Sequence, residues 1–288
     1  LVPGISYQYY YINNKSAAQK AKVELLAPML SLRAERNTDT MRSALSIGYE
    51  TNLDDVFDAS ERSIHALGHP TANLTHDIIR YEFRHSMFIE PLLFGESFYS
   101  GENWQQSARA HEIVLNFRGQ QTINKDPLIP QKKMTLGGMF TVRGYPESLV
   151  SGDNAYVATA EYRVHLPRLF RPYKAYEKDD KTRLVGEMAP AYFGTPFNWR
   201  APTPYSMPDW DIALCFFGDF GQARINQALS WEQKKQTLAS FGVGIEFQFS
   251  SWFNARLDYG VVANKVTTTY ETANRYDSAI HFTASFLW

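Results

Sequence analysis

The chain has 288 residues, 15% of them aromatic, yet its mean hydropathy is polar at −0.36. A net charge of −1 excludes a chain-wide basic surface for nucleic acid, and the lone Cys215 excludes an internal disulfide framework. The longest apolar runs, such as 212–217, fall far short of the roughly 18–20 residues of a membrane helix. Residence in a membrane would then require a closed β-barrel, the other architecture that satisfies every backbone group in lipid.

In chain order, residues 1–10 hold no basic residue and no cleavage pattern, so nothing there reads as a signal peptide. The chain does not open on Met, which favours a portion of a longer polypeptide. Ten strands are predicted, at 5–12, 23–34, 43–50, 78–85, 112–120, 155–166, 212–220, 238–249, 253–263 and 280–288. The first five alternate loosely, and the later ones alternate with a clear period of two. In 155–166, Thr159, Glu161, Arg163 and His165 share the polar face. In 238–249, Phe241, Val243, Ile245, Phe247 and Phe249 oppose Gly242, Gly244, Glu246 and Gln248. In 253–263, Phe253, Ala255, Leu257, Tyr259 and Val261 oppose Asn254, Arg256, Asp258 and Gly260, and the last strand sets Phe282, Ala284, Phe286 and Trp288 against His281, Thr283 and Ser285.

The polar faces bear on architecture. A sandwich buries its apolar faces and leaves the others in solvent. Here the apolar faces are aromatic to the last residue, while the opposite faces mix charges with Gly, Ser and Thr, as a wet or plugged lumen would. The expected fold is all-β, an antiparallel transmembrane β-barrel over 1–288; a soluble lipocalin-like barrel or a sandwich is the alternative that periodicity leaves open. In the barrel, Phe241, Val243, Phe247, Leu257, Tyr259, Phe282 and Phe286 face lipid, and Glu246, Arg256, Asp258 and His281 face the lumen. Long connections at 52–76, 122–154 and 168–208 alternate with short ones such as 250–252, as two unlike rims would require.

Catalytic signals are lacking. The seven histidines, at 65, 69, 76, 85, 111, 165 and 281, show no metal-ligand spacing, and no nucleophile elbow, P-loop or dinucleotide fingerprint is present. No metal, cofactor or catalytic residue is expected. An outer-membrane lipase or protease would need a Ser or acid aligned with a His, which a sequence does not display.

The connection 122–154 is too long to be idle in a compact barrel. It contains Leu136-Gly137-Gly138, then Val142-Arg143-Gly144-Tyr145-Pro146-Glu147-Ser148 and Ser151-Gly152-Asp153-Asn154; Asp126-Pro127-Leu128-Ile129-Pro130 precedes them and Ala160-Glu161-Tyr162-Arg163 follows. Gly137, Gly138, Val142, Arg143, Gly144 and Tyr145 resemble the signature loop of the outer-membrane polypeptide-transport superfamily, which includes barrel-assembly insertases and two-partner secretion transporters. The longer string resembles its haemolysin secretion/activation branch. Four residues alone are weak evidence; the concatenation, flanked by period-two strands, is specific. It covers about 112–288 well and the first hundred residues loosely.

The resemblance implies that the loop folds into the lumen and that its arginine meets an acid on the barrel wall. The family's wall motif F-x-D-x-G is matched by Phe217-Gly218-Asp219-Phe220-Gly221. Asp219 is then the expected partner of Arg143, with Glu161 as second candidate; without the resemblance both charges read as solvated. Phe217, Asp219 and Gly221 share a face, and Ile212, Leu214 and Phe216 take the other. Phe286 and Trp288 resemble the C-terminal signal that barrel-assembly machinery pairs with, and equally suit an interfacial aromatic girdle.

The family barrel has sixteen strands and periplasmic domains, of which about ten strands and no such domain are legible here. The resemblance implies a multi-pass barrel in the outer membrane of a Gram-negative-type cell, secreting a polypeptide client; a barrel-assembly insertase is the alternative. Expected partners are that client, outer-membrane lipid, and a further chain or N-terminal region completing the barrel, with strand 5–12 otherwise an open edge; no nucleic acid is expected.

Overall fold

A computed structural model describes residues 2–14, 19–53, 76–100, 103–177, 183–192, 194–269 and 271–287. Its main element is one antiparallel sheet of ten strands: β1 Val2–Asn14, β2 Gln19–Asn37, β3 Met41–Thr51, β4 Asp77–Phe88, β5 His111–Thr122, β6 Asn154–His165, β7 Trp210–Arg224, β8 Lys235–Phe249, β9 Phe253–Val262 and β10 Ser278–Phe286. Each pairs with its neighbour in sequence, so the sheet is an up-and-down meander, the connectivity of a barrel wall. Every predicted strand overlaps one of the ten. Among the described residues, β1 and β10 are the outer strands and do not pair with each other.

Period two divides the sheet into faces of opposite chemistry. On the outer face Phe216, Phe241, Val243, Ile245, Leu257, Tyr259, Phe282 and Phe286 are all exposed. On the inner face Phe217, Asp219, Glu161 and Asp258 are buried. Apolar side chains are thus presented outward and charges enclosed, the inverse of a soluble sheet and the arrangement a lipid-embedded wall requires. Some of the sequence assignments sit less fully outside, Phe247, Ile212 and Leu214 being half-buried.

The apolar core is not between two sheets. Leu136, Val142, Tyr145 and Val150 of the connection 123–153 pack on inward Ala155, Val157, Ala223, Leu238 and Val262 of β6 to β9. These wall residues all lie near the rim from which that connection springs. Further from it the same inner face turns ionic, so the wall is graded from apolar to charged beneath the loop.

The rims differ from the expectation of one long-looped and one short-looped side. The meander puts 52–76 and 123–153 on one rim, but 89–110 and 166–209 on the other, beside the short 38–40 and 250–252. Loop length in a sequence does not reveal which rim a loop occupies, because that depends on counting every intervening strand. His65 and His69 lie outside the described residues.

Candidate functional site

The loop 123–153 enters the inner side by a defined path. Residues Met134–Leu136 pair with Val150–Gly152 as a short ribbon, closing the loop at its base. Beyond the ribbon Gly137 and Gly138, at φ of 113° and 93°, turn the chain back in a region that L side chains rarely adopt. Thr141 Oγ1 accepts from Gly137 N–H at 2.8 Å, and Glu147 Oε1 accepts from Met139 N–H at 2.8 Å, so the turn carries its own hydrogen bonds. The outcome is that residues 142–145 are delivered to the wall, where Val142 and Tyr145 are fully buried.

Arg143 sits at the boundary between the apolar and ionic zones. Its Nε and Nη2 donate to Asp219 Oδ2 and Oδ1, each at 2.8 Å, a bidentate pair. Its Nη1 donates to Glu161 Oε2 at 3.0 Å and to Asp258 Oδ2 at 3.1 Å. Its backbone N–H adds a bond to Asp219 Oδ2 at 3.0 Å. The guanidinium also lies over the Phe217 ring, 3.4 Å from the centroid, so the cation is held in its plane by carboxylates and on its face by a π system. A lysine could reproduce neither the fork nor the stacking.

Strand register makes the site. Glu161 stands opposite Phe217 and Thr159 opposite Asp219 across β6 and β7, while Asp258 stands opposite Gly244 across β8 and β9. Three carboxylates from three strands therefore converge on one point. The F-x-D-x-G positions divide the work by period two: Phe217 lies under the cation, Asp219 takes its fork, and Gly221 makes room, since a Cβ there would lie 2.8 Å from Val142 Cγ2. Gly144 holds φ of 87° against Gly260, where a Cβ would meet backbone at 2.9 Å; the loop and wall main chains touch at this point. His281 Nε2 accepts from Gly144 N–H at 3.0 Å, and the Tyr145 hydroxyl, 2.7 Å from the Asn264 carbonyl, ties the loop to the far end of β9.

The three acids are not left with one cation. Arg256 bonds Glu161 at 2.7 Å and Asp258 at 2.9 Å, and Arg163 bonds Glu161 at 2.5 Å. The chain of charges continues through Glu246 and Glu112 to His165, Asp211 and Arg168. Such a network is cross-compensated, which is how closely spaced buried charges persist. Period two places Asp258 and Arg256 on the lumen face, but the meeting of Asp258 with Arg143, and of Arg256 with Glu161, carries no local sequence signal.

A second ionic cluster holds the other limb of the loop. Lys132, buried in the short helical turn Pro130–Lys132, donates to Glu50 Oε1 of β3 at 2.5 Å. Glu50 also takes Arg80 of β4 at 2.8 Å and His76 at 3.3 Å. Gln120 of β5 donates to the Lys132 carbonyl at 2.8 Å. Asp153, fully buried where the loop returns to β6, accepts from Leu128 and Asn226 N–H, both at 2.7 Å. Lys132, Glu50 and Asp153 are not singled out by the sequence as site residues; Asp153 lies within the Ser151–Asn154 string and Lys132 just after Asp126–Pro130, but nothing local marks Glu50.

Phe286 lies exposed on the outer face and Trp288 lies outside the described residues. No group of three or more His, Cys, Asp or Glu suited to a metal occurs among the described residues.

Residues 97–176 match the family model of haemolysin secretion/activation protein ShlB/FhaC/HecB. Among solved structures, CdiB from Escherichia coli resembles the chain with a TM-score of 0.56 at 11% identity, over 92% of this chain and 37% of that one. CdiB from Acinetobacter baumannii matches with a TM-score of 0.43 at 12% identity, over 99% of this chain and 47% of that one. The chain thus spans less than half the length of the structures it matches. No curated protein sequence matches it. The resemblance to the haemolysin secretion/activation branch agrees with the family match over 97–176, and the expected all-β barrel fold agrees with the structural one.

Proposed function

We propose that this chain forms part of the wall and the lumenal plug of an outer-membrane β-barrel that secretes a polypeptide client, in the manner of two-partner secretion. The observation that carries the reading is the seating of Arg143: a loop cation buried among Asp219, Glu161 and Asp258 on the inner side of a sheet whose outer side is apolar. A loop held in this way closes a lumen without filling it permanently, because its anchor is ionic and can exchange partners for water. The apolar patch under Val142 and Leu136 positions the loop, and the ionic zone beyond it gives an extended, unfolded client a polar wall to slide along. Client backbone and polar side chains would meet charges that are already paired, which limits sticking.

In the same reading the outer strands need cover. Unpaired backbone groups in lipid are costly, so β1 and β10 are proposed to pair with further strands, from this polypeptide or another. No nucleotide, metal or covalent step enters.

The test is to replace residues 134–152 of the whole protein by a short flexible linker and measure single-channel conductance in planar bilayers together with client release from cells. Larger, steadier conductance with reduced release is expected. Unchanged conductance would contradict the plug. Client recovered within the membrane instead of outside it would favour the insertase reading.

A further inference from the structure

The rim connection 166–209 contains an element that the transport reading does not use. Residues Ala191–Tyr192 and Thr195–Pro196 pair as a two-stranded ribbon, and the chain then runs along the outer side of the sheet. Asn198 N–H donates to Asp209 Oδ2 at 2.7 Å and Asp209 N–H to the Asn198 carbonyl at 3.0 Å, which fixes 197–199 beside the start of β7. There Phe197 stacks on Phe249 with centroids 5.3 Å apart, and Trp199 meets Trp210 edge-on at 5.7 Å. Phe249 and Trp210 both have the outward parity of Phe247 and Ile212. This stretch of the connection has therefore folded back against the outward side of the wall, whereas Arg168 at its start reaches Asp211 on the inner side.

The height of this contact is set by β8. Its outward residues are polar at Lys235 and Thr237, then apolar from Ala239 through Phe241, Val243, Ile245 and Phe247 to Phe249. Those ten steps, at about 3.3 Å each and a tilt of about 40°, give about 25 Å, the height of the apolar band of an outer-membrane barrel. Phe249 then marks the edge of the hydrocarbon, where Phe197 stacks on it, Trp252 meets it edge-on at 5.3 Å, and Tyr192 and Trp199 join the same cluster. These are the residue types and the position of an interfacial belt, where an aromatic body faces apolar chains and a polar tip faces headgroups. Tyr192, Trp199 and Trp252 remain 49%, 42% and 47% exposed, too much aromatic surface in one patch to leave to water without a role. Trp199 Nε1 donates to the Tyr192 hydroxyl at 3.0 Å and Trp210 Nε1 to the Trp199 carbonyl at 2.9 Å, so the rings are fixed in place.

We infer that residues 191–192 and 194–199 are a bilayer-interface anchor: a folded-back rim segment that widens the aromatic belt with rings the strands do not supply and beds them among lipid headgroups. The occupant of this surface is the lipid interface, on the ground that the patch continues the outward face of β8 without a break. The inference rests on the membrane-barrel reading. Its role is to fix the depth and tilt of this sector of the wall, so that the loop anchored inside stays in register with the membrane plane.

The test uses the whole protein in phosphatidylcholine vesicles brominated either near the headgroup or near the chain end. One variant keeps Trp199 as the only tryptophan, the other five being changed to Phe. A second variant carries Leu257→Trp, in the middle of the outer face, with all six native tryptophans changed to Phe. Trp199 is expected to lose more fluorescence to the shallow bromines than to the deep ones, and Leu257→Trp the reverse. Quenching of Leu257→Trp but not of Trp199, with Trp199 open to aqueous iodide, overturns the anchor and leaves the barrel intact; Trp199 shielded from both probes overturns it in favour of a protein cover. Failure of Leu257→Trp to be quenched by either lipid overturns the membrane reading itself. As a check that does not depend on removing tryptophans, a nitroxide on Thr195→Cys in a Cys215→Ala background should show oxygen and nickel-chelate accessibilities of the headgroup zone; values equal to bulk water overturn the anchor.

Discussion

The two ionic clusters that grip the loop are built with opposite polarity. At one, the loop residue is the hub: Arg143 alone reaches Asp219, Glu161 and Asp258. At the other, the wall residue is the hub: Glu50 gathers Lys132, Arg80 and His76, and the loop contributes one spoke. Both are buried, so the cost of breaking either is governed less by the attraction lost than by the charge left without a partner. The difference teaches where the loop is vulnerable. Removing the loop's cation leaves a large deficit at the first cluster and a small one at the second.

The largest effect is therefore expected from Arg143→Ala. Asp219 would then be left without a cation, while Glu161 keeps Arg256 and Arg163 and Asp258 keeps Arg256, and anchoring should weaken by about 3–5 kcal/mol. Protease cleavage within 134–152 of the vesicle-embedded protein would report the freed loop; a loop as protected as in the parent would break the comparison. Next comes an inversion that no simple salt-bridge count anticipates. Glu50→Ala strands a Lys132 side chain only 5% exposed and should cost about 3 kcal/mol. Lys132→Ala leaves Glu50 with Arg80 and His76, and should cost about 1 kcal/mol. Equilibrium unfolding in vesicles would rank the pair, and equal losses would argue that both are merely solvated.

Gly144→Ala sharpens the account without touching a charge. The position combines φ of 87° with a Cβ that would lie 2.9 Å from the Gly260 backbone. A loss of about 1–2 kcal/mol is expected from the conformation, with some addition from the displaced contact. Because Arg143 is the preceding residue, the same change should raise the protease sensitivity of the loop, in the sense of Arg143→Ala but to a lesser degree.

Much of this molecule is legible in its sequence, and the reasons are physical. Strands β8, β9 and β10 could be read because an exposed apolar face alternates strictly with a polar inner one, which in β8 and β9 carries paired charges. Predicted boundaries fall short where a strand outruns its apolar pattern: β2, expected to end at 34, continues to Asn37 through Glu35 and Arg36, which give no hydrophobic signal. The loop string singled out Arg143, and the wall motif singled out Asp219. Asp258 and Glu50 were not legible as partners, because they meet the loop only through the register of strands far apart in sequence. Nor could the rim of 166–209 be read, since Pro, Arg and aromatic residues suit an interfacial segment as well as a solvated one.

The central claim is that Arg143 and Asp219 act as one device. A double-mutant cycle on Arg143→Ala and Asp219→Ala, read by single-channel conductance and by client release in the whole protein, tests it most directly. Each single change should disturb both readouts, and the double variant should be little worse than Arg143→Ala alone, the non-additivity of residues in contact. Effects that simply add, or two single variants indistinguishable from the parent, would contradict it.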